Sequence, residues 1–309
     1  MKYKTDCPCC NTLRPLSSHL HELALVCDYL SNTAPYSDSD SERVVRTETI
    51  GDWLKLASQL EEVKVDTWRF EQDPLYCGNV ADKISSDSAH FTIYSTALTR
   101  FIFVTSALEE TYRFVDHHYP PFADAKKLPE KSRPRSSSIK AAALVDSLPQ
   151  SAWPSNLDHS AMNYKVIFDR YLEDHQKELS GMQYADEGGP AYALHLVRNL
   201  RNHVAHGVFP LLPNPDYAYG VDIDREDLVQ LLNQSCRMSA MYVQMLIRKY
   251  NTGFASDEYL YCIDEDGPEF EYFLTHCTVD YINNLHVQQE FSLTTAFAYG
   301  SSSQEEIAE

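Results

Sequence analysis

Apolar residues recur at steps of three and four along most of this chain, which is the spacing of one face of an α-helix. The pattern is longest after His90, where Phe91, Tyr94, Leu98 and Phe101 begin a stripe that continues to Val115. It predicts helices over Ser17–Leu30, Gly51–Val63, His90–Tyr119, Asn163–Leu179, Ala191–His206 and Arg225–Lys249.

Helix-breaking residues mark several of the predicted ends. Pro120 and Pro121 end the longest helix, and Gly207 and Pro210 end the helix predicted over Ala191–His206. The only predicted hairpin pairs EYLYCI with EFEYFL around DEDG, after residue 257. The sequence therefore predicts a mainly α fold with a four-helix centre.

We divide the chain into three regions on this basis. Residues 1–88 form an N-terminal region suited to a sensor or accessory role, and residues 89–253 form the helical domain. Residues 254–309 are expected to be an acidic C-terminal extension with a hairpin and a frayed tail.

Composition places the protein among ordinary globular chains. Of its 309 residues 43% are hydrophobic and 23% charged, which excludes wholesale disorder. The first residues lack the apolar centre of a signal peptide, and the longest apolar runs are too short to span a bilayer. The eight cysteines are too dilute for a disulfide scaffold. We expect a cytoplasmic protein that does not engage membranes.

The net charge of −19 argues against nucleic-acid binding by bulk electrostatics. Residues 251–309 contain twelve acidic residues and no Lys or Arg, so much of the charge lies at this end. One stretch is the reverse: residues 124–140 form a basic, proline-containing segment that we interpret as an exposed loop. Its basic residues include Lys126, Lys127, Lys131, Arg133 and Arg135.

Chemistry-bearing residues concentrate at the end of the helix predicted over Ala191–His206. Arg201, Asn202 and His206 combine a permanent cation for phosphate oxygens, a polar side chain and a proton carrier. An overlapping set, Arg198, Asn199 and His203, has the same spacing. Arg201 and His206 are five positions apart, which is about 140° around the axis of an ideal helix. Both side chains can therefore reach one ligand only if the helix ends near His206.

This arrangement resembles the HEPN (higher eukaryotes and prokaryotes nucleotide-binding) superfamily, whose motif is an Arg followed by a His within an all-helical domain. The better match is Arg201-Asn202 followed by His206-Gly207, and the Arg198–His203 register remains the alternative. The resemblance covers roughly residues 90–253. It implies a metal-independent endoribonuclease that acts as a homodimer in antiviral defence or as a toxin, with an antitoxin or a phage trigger protein as partner.

The resemblance also implies roles. His206 would act as general base or acid, Arg201 would neutralise transition-state charge, and Asn202 would orient His206 or the phosphate. The substrate would be RNA, tRNA included, tracked by the basic loop unless that loop is only a solvated linker. The acidic C-terminal extension, residues 254–309, would be ordinary solvated surface or would inhibit the nuclease until a trigger binds. The competing hypothesis is a non-catalytic helical module that binds a partner protein or a nucleotide.

A second cluster, Cys7-Pro8-Cys9-Cys10, contains a C-x-x-C pair of the kind that holds zinc. Cys7 and Cys10 would supply two ligands of a structural zinc site, with His19, His21 or Cys27 as candidates for the rest. Cys27 also fits the core face of its helix. Catalysis itself requires no cofactor under the HEPN interpretation.

Overall fold

A computed structural model describes residues 7–33, 47–71, 78–118, 136–217, 225–250, 275–276 and 278–294. Within these residues the protein is mainly helical, as predicted, and the extended pairing is limited to one antiparallel bridge between Leu13 and Val287. The helices are α1 (Pro8–Asn11), α2 (Leu16–Thr33), α3 (Glu48–Gln59), α4 (Gly78–His118), α5 (Ser137–Ser147), α6 (Leu157–His175), α7 (Tyr192–Ala205), α8 (Arg225–Tyr250) and α9 (Val279–Asn283).

The six helices predicted from periodicity are all present, with shifted bounds. The largest shift is at α4, which begins at Gly78 and so runs across the predicted boundary between residues 88 and 89. Its first turns are mostly polar and exposed, with Ile84 buried among them, so they carry little apolar periodicity. The predicted hairpin and the basic residues 126–135 lie outside the described residues.

Helix α8 is the centre of the fold. It contacts α2, α4, α5, α6, α7 and α9, and its middle is buried on every side. A helix in that position is apolar around most of its circumference. Leu232, Met238, Val243 and Leu246 are fully buried accordingly. One hydrophobic cluster includes residues from all three regions drawn from the sequence.

Helix α4 is the long partner of α8 and also packs on α3 and α5. By length and composition, the stretch Gly78–Val115 is apolar enough to cross a membrane, the one such stretch in the part of the chain that the structure describes. A buried core helix meets the same criterion. Phe101, Val104 and Val115 of this helix are fully buried in the fold.

Three α-helices have no counterpart in the sequence prediction, and one of them is the four-residue α1. Helix α5 begins inside the stretch interpreted as a loop, where Ser136 caps it by accepting a hydrogen bond from the N–H of Ile139. Helix α9 has five residues, too few for a periodic signal.

The segment 278–294, which contains α9, belongs to the core. Tyr281, Leu285 and Leu293 are almost fully buried. Glu22 of α2, only 2% exposed, accepts hydrogen bonds from the Tyr281 hydroxyl and from the N–H of Leu293. The sequence analysis placed this segment in the acidic C-terminal extension, and its apolar residues pack into the same hydrophobic cluster as those of α2 and α8.

Candidate functional site

Helix α7 presents the predicted site. Its inner face packs against α8 through Leu196, Val197 and Leu200, which are fully buried. Its first turn is fixed by Asp146, whose carboxylate accepts a hydrogen bond from the N–H of Ala191 at 3.0 Å. The opposite end of α7 is thereby held at a defined place on the surface.

The end of α7 is a Schellman motif. The N–H of Val208 donates to the carbonyl of His203 at 2.9 Å, and that of Gly207 donates to Val204 at 3.1 Å. Gly207 has φ +68°, the left-handed conformation that this motif requires. The helix thus ends at Ala205, and His206 follows as an exposed side chain at its last turn. This is the helix end that convergence of Arg201 and His206 requires.

The segment after His206 is tied down on both sides. The Phe209 ring lies 6.2 Å from that of Tyr94 and 5.7 Å from that of Tyr171. The Tyr94 hydroxyl donates to the carbonyl of Pro210, and the His90 ring bonds the carbonyl of Leu212 at 2.9 Å. These contacts with α4 and α6 fix the backbone that carries His206.

Arg201 and Asn202 are partly exposed beside this end. Arg201 Nη1 donates to Asn202 Oδ1 at 3.3 Å, and Nη2 lies 3.4 Å from Glu109 Oε1 on α4. The Arg201 and Glu109 side chains are 42% and 38% exposed, so solvent screens their ion pair. A phosphate could therefore replace Glu109 as the partner of the Arg201 guanidinium at little cost in free energy.

The alternative residues are in a different situation. Arg198 Nη2 donates to the carbonyls of Ser180 and Gly181, both at 3.1 Å. Asn199, 1% exposed, accepts from the N–H of Ser180 at 2.8 Å and donates to the carbonyl of His195 at 2.9 Å. These two side chains hold the backbone around Ser180 against α7.

His203 completes this internal set. Its Nδ1 lies 2.9 Å from the Tyr171 hydroxyl and its Nε2 3.3 Å from the carbonyl of Glu178. Burial lowers the pKa of His203 below its ordinary value, and the carbonyl of Glu178 opposes that shift. Arg198, Asn199 and His203 therefore hold the segment between α6 and α7 against these helices. In contrast, His206 is exposed, and Arg201 and Asn202 are partly exposed.

Two buried groups lie close to these arginines. The Tyr112 hydroxyl and His195 Nε2 have no hydrogen-bond partner among the described residues. Burial, with Glu109 as a smaller cause, raises the pKa of Tyr112, and burial, with Arg198, lowers that of His195 to about 4. Both groups are neutral near pH 7, so the positive charge at this end of α7 belongs to the arginines.

At each of the two predicted sites, the structure places one further residue that the spacing of residues in the sequence does not indicate. Glu109, which pairs with Arg201, precedes it by 92 positions, and no motif connects the two. At the cysteine cluster the addition is His159, whose Nε2 lies 3.0 Å from Cys7 Sγ and 3.8 Å from Cys10 Sγ.

The other residues considered as metal ligands lie elsewhere. His19 is buried against Gln244, and Cys27 is buried in the core. His21 is not part of the cysteine–histidine cluster. The basic residues proposed to track RNA fall outside the described residues.

We compared the chain with family models, curated proteins and solved structures. None of them matches.

Proposed function

We propose that this chain is a metal-independent endoribonuclease of the HEPN type, with Arg201, Asn202 and His206 as its catalytic residues. One observation carries the proposal. Two Arg-Asn-His sets overlap on α7. In the set that ends at His206 the His is exposed and the Arg and Asn are partly exposed, whereas the other set is engaged in hydrogen bonds with the segment around Ser180 and with Tyr171. Helices α4, α6, α7 and α8 would then form the HEPN-like four-helix bundle.

The chemistry would be an internal transesterification of RNA. His206 accepts the proton of a ribose 2′-hydroxyl as its oxygen attacks the adjacent phosphorus. The new O2′–P bond forms as the P–O5′ bond breaks, and the 5′-oxygen takes a proton from solvent or from a second His206. The products are a 2′,3′-cyclic phosphate and a 5′-hydroxyl.

Arg201 would stabilise the charge that develops on the phosphate. Its planar fork suits two non-bridging oxygens. Asn202, bonded to Arg201 at 3.3 Å, would keep the guanidinium in place. Glu109 holds the same guanidinium before RNA binds, and we assign it a positioning role.

A homodimer would place two such sets face to face. Val208 and Leu211, close to His206, are 44% and 66% exposed, which gives this end of the molecule apolar surface for a second copy. The basic residues of 126–135 would add contacts to the RNA backbone. Antiviral defence or toxin action in the cytoplasm, under an antitoxin or a phage trigger, is part of the same proposal.

The test is cleavage of total RNA and of tRNA without added metal. Wild type is expected to leave cyclic-phosphate ends, and His206→Ala and Arg201→Ala each to lower the rate by about 10²–10⁴-fold. The matched controls are His203→Ala and Arg198→Ala, which remove the same residue types one register earlier. Circular dichroism establishes that each variant is folded.

The outcomes separate the hypotheses. Loss of activity only in the His203 and Arg198 variants, both folded, would move the active site to the other register. Equal inactivity of wild type and all variants, with phage components added, would favour the non-catalytic module that binds a partner protein or a nucleotide.

A further inference from the structure

The cysteine–histidine cluster lies far from the end of α7 and has a chemistry of its own. Cys7 and Cys10 flank the start of α1, and His159 lies in the first turn of α6. Their two sulfurs and one ring nitrogen all lie within 4.8 Å of one another. We propose that Cys7, Cys10 and His159 bind a zinc ion that fastens α1 to α6.

The distances suit one ion shared by the three atoms. Zinc binds sulfur at about 2.3 Å and imidazole nitrogen at about 2.0 Å, so tetrahedral ligands of these types lie about 3.6 Å apart. The observed separations from His159 Nε2, 3.0 Å to Cys7 Sγ and 3.8 Å to Cys10 Sγ, lie on either side of that value. Small side-chain rotations would bring the three atoms around an ion.

The donor types select the metal. Two thiolates and an imidazole favour zinc over calcium or magnesium, which take oxygen ligands. The local sequence supports the arrangement, because Pro8 begins α1 and fixes a tight turn between the two cysteines. Cys10 is exposed, and Cys7 and His159 are partly exposed, so an ion in solution can reach them.

A fourth ligand is at hand. The Asn163 amide lies one turn along α6, with Nδ2 3.1 Å from His159 Nε2 and 3.7 Å from Cys10 Sγ. If the Asn163 amide rotated so that its oxygen and nitrogen exchanged places, the oxygen would face the ion. Otherwise a water molecule would be the fourth ligand. Cys9 points away from the triad, with its sulfur 3.6 Å from Asn156 Oδ1.

The location indicates a structural role. The N–H of Arg14, a few residues after α1, donates to the carbonyl of His286 at 2.8 Å, and the His286 ring bonds the carbonyl of Ser155 just before α6. An ion bound by Cys7, Cys10 and His159 would link α1 and α6 directly. Hydrogen bonds already connect the segments next to these two helices through His286.

The experiment measures metal in the full chain, purified under reducing conditions without chelators. We expect about one zinc per chain in wild type and less than about 0.2 in Cys7→Ser, Cys10→Ser and His159→Gln. Cys9→Ser is the matched control, since it removes an adjacent cysteine and should keep the zinc. Chelation should lower the Tm of wild type and of Cys9→Ser but leave that of folded Cys10→Ser unchanged.

Cobalt(II) substitution reports the ligands directly. Wild type should show the intense visible absorption of tetrahedral Co(II) with a thiolate charge-transfer band. His159→Cys should keep the ion and strengthen that band, because it adds a third thiolate. This variant guards against the case in which the deletions merely fail to fold.

Three results would overturn the proposal. They are wild-type protein with less than about 0.2 zinc per chain and no Co(II) spectrum, equal loss of metal in Cys9→Ser, or a Cys7–Cys10 disulfide that persists under reduction. Metal content is read independently of RNA cleavage, so this inference can fail while the proposed function stands, and the reverse.

Discussion

Asn199 and Asn202 lie one turn apart on α7 and have opposite surroundings. Asn199 is buried and bonds Ser180 and His195, whereas Asn202 is partly exposed and contacts Arg201. Asn199→Ala would remove the hydrogen bonds that this buried amide makes to Ser180 and His195, so we expect it to lower the free energy of unfolding by about 1–3 kcal/mol. Urea unfolding measures this.

Asn202→Ala is the matched control for that prediction. It should change stability by less than about 0.5 kcal/mol, as surface substitutions usually do, and act on RNA cleavage instead. Equal destabilisation by the two variants would contradict the division of α7 into a structural and an exposed set.

Gly207 offers a second test at the scale of one residue. A Cβ added there would meet no atom within 4 Å, so only the backbone conformation, φ +68°, opposes a side chain. Gly207→Ala is expected to cost about 1–2 kcal/mol, and Gly207→Asn less, because Asn tolerates the left-handed conformation. Thermal unfolding of both variants checks the order, and equal stability of Gly207→Ala and wild type would contradict it.

At the scale of elements, α2, α8 and the segment 278–294 meet around two buried histidines. His19 bonds Gln244 and faces Arg237, Arg14 and His286. Burial first, and then Arg237, lowers the pKa of His19 well below its ordinary value, and burial lowers that of His286 to about 4. Both rings are neutral in the folded protein near pH 7.

This cluster predicts acid sensitivity. The unfolded chain takes up protons on these histidines below about pH 6.5, while in the folded chain His286 resists until about pH 4 and the pKa of His19 is also well below its ordinary value. Their contribution to stability is therefore fully present above about pH 6.5 and falls as the pH drops toward 4. His286→Gln, which can still donate to the carbonyl of Ser155, should lose less stability between pH 7 and pH 5 than wild type.

Urea unfolding at the two pH values measures this difference. His206→Gln, which replaces an exposed histidine outside this cluster, serves as the matched control. An identical pH dependence in His286→Gln and wild type would contradict the prediction.

Periodicity predicted the longer helices, whose apolar residues recur at steps of three and four. Helices α2, α6, α7 and α8 appear within a few residues of their predicted bounds, apart from the start of α6 at Leu157. It failed where apolar content is low, as in the polar first turns of α4, or where the element is short, as in α9. It could not find His159 or Glu109, because contacts across 92 or 149 positions leave no trace in spacing.

At the scale of the whole molecule, the beginning and end of the described chain form one unit. Deletion of residues 278–309 would remove Tyr281, Leu285 and Leu293 from the core and take away donors to Glu22. Glu22 would keep Arg14, 3.5 Å away, but lose hydrogen-bond donors. Loss of the buried Leu285 and Leu293 side chains alone costs about 1.5–3 kcal/mol each, so we expect this deletion to unfold the protein. Circular dichroism and urea unfolding would show the loss.

Deletion of residues 295–309 is the matched control, since it removes none of the described contacts. Release of a check on the nuclease by the acidic end would have to be tested with this shorter deletion. A cooperative unfolding transition in the longer deletion, at the wild-type midpoint, would contradict the structural role of the segment 278–294.

The hydrogen bond between Glu22 and Tyr281 spans 259 positions and has a consequence for biosynthesis. Translation adds Arg14, which pairs with Glu22, before α2, but adds the Tyr281 hydroxyl and the Leu293 N–H more than 250 positions later. Until those donors are made, burial of the Glu22 carboxylate is only partly compensated. We therefore expect the packing of α2 to be completed only after residue 293 has been synthesised, and a chain that stops short of residue 281 to lack part of its core.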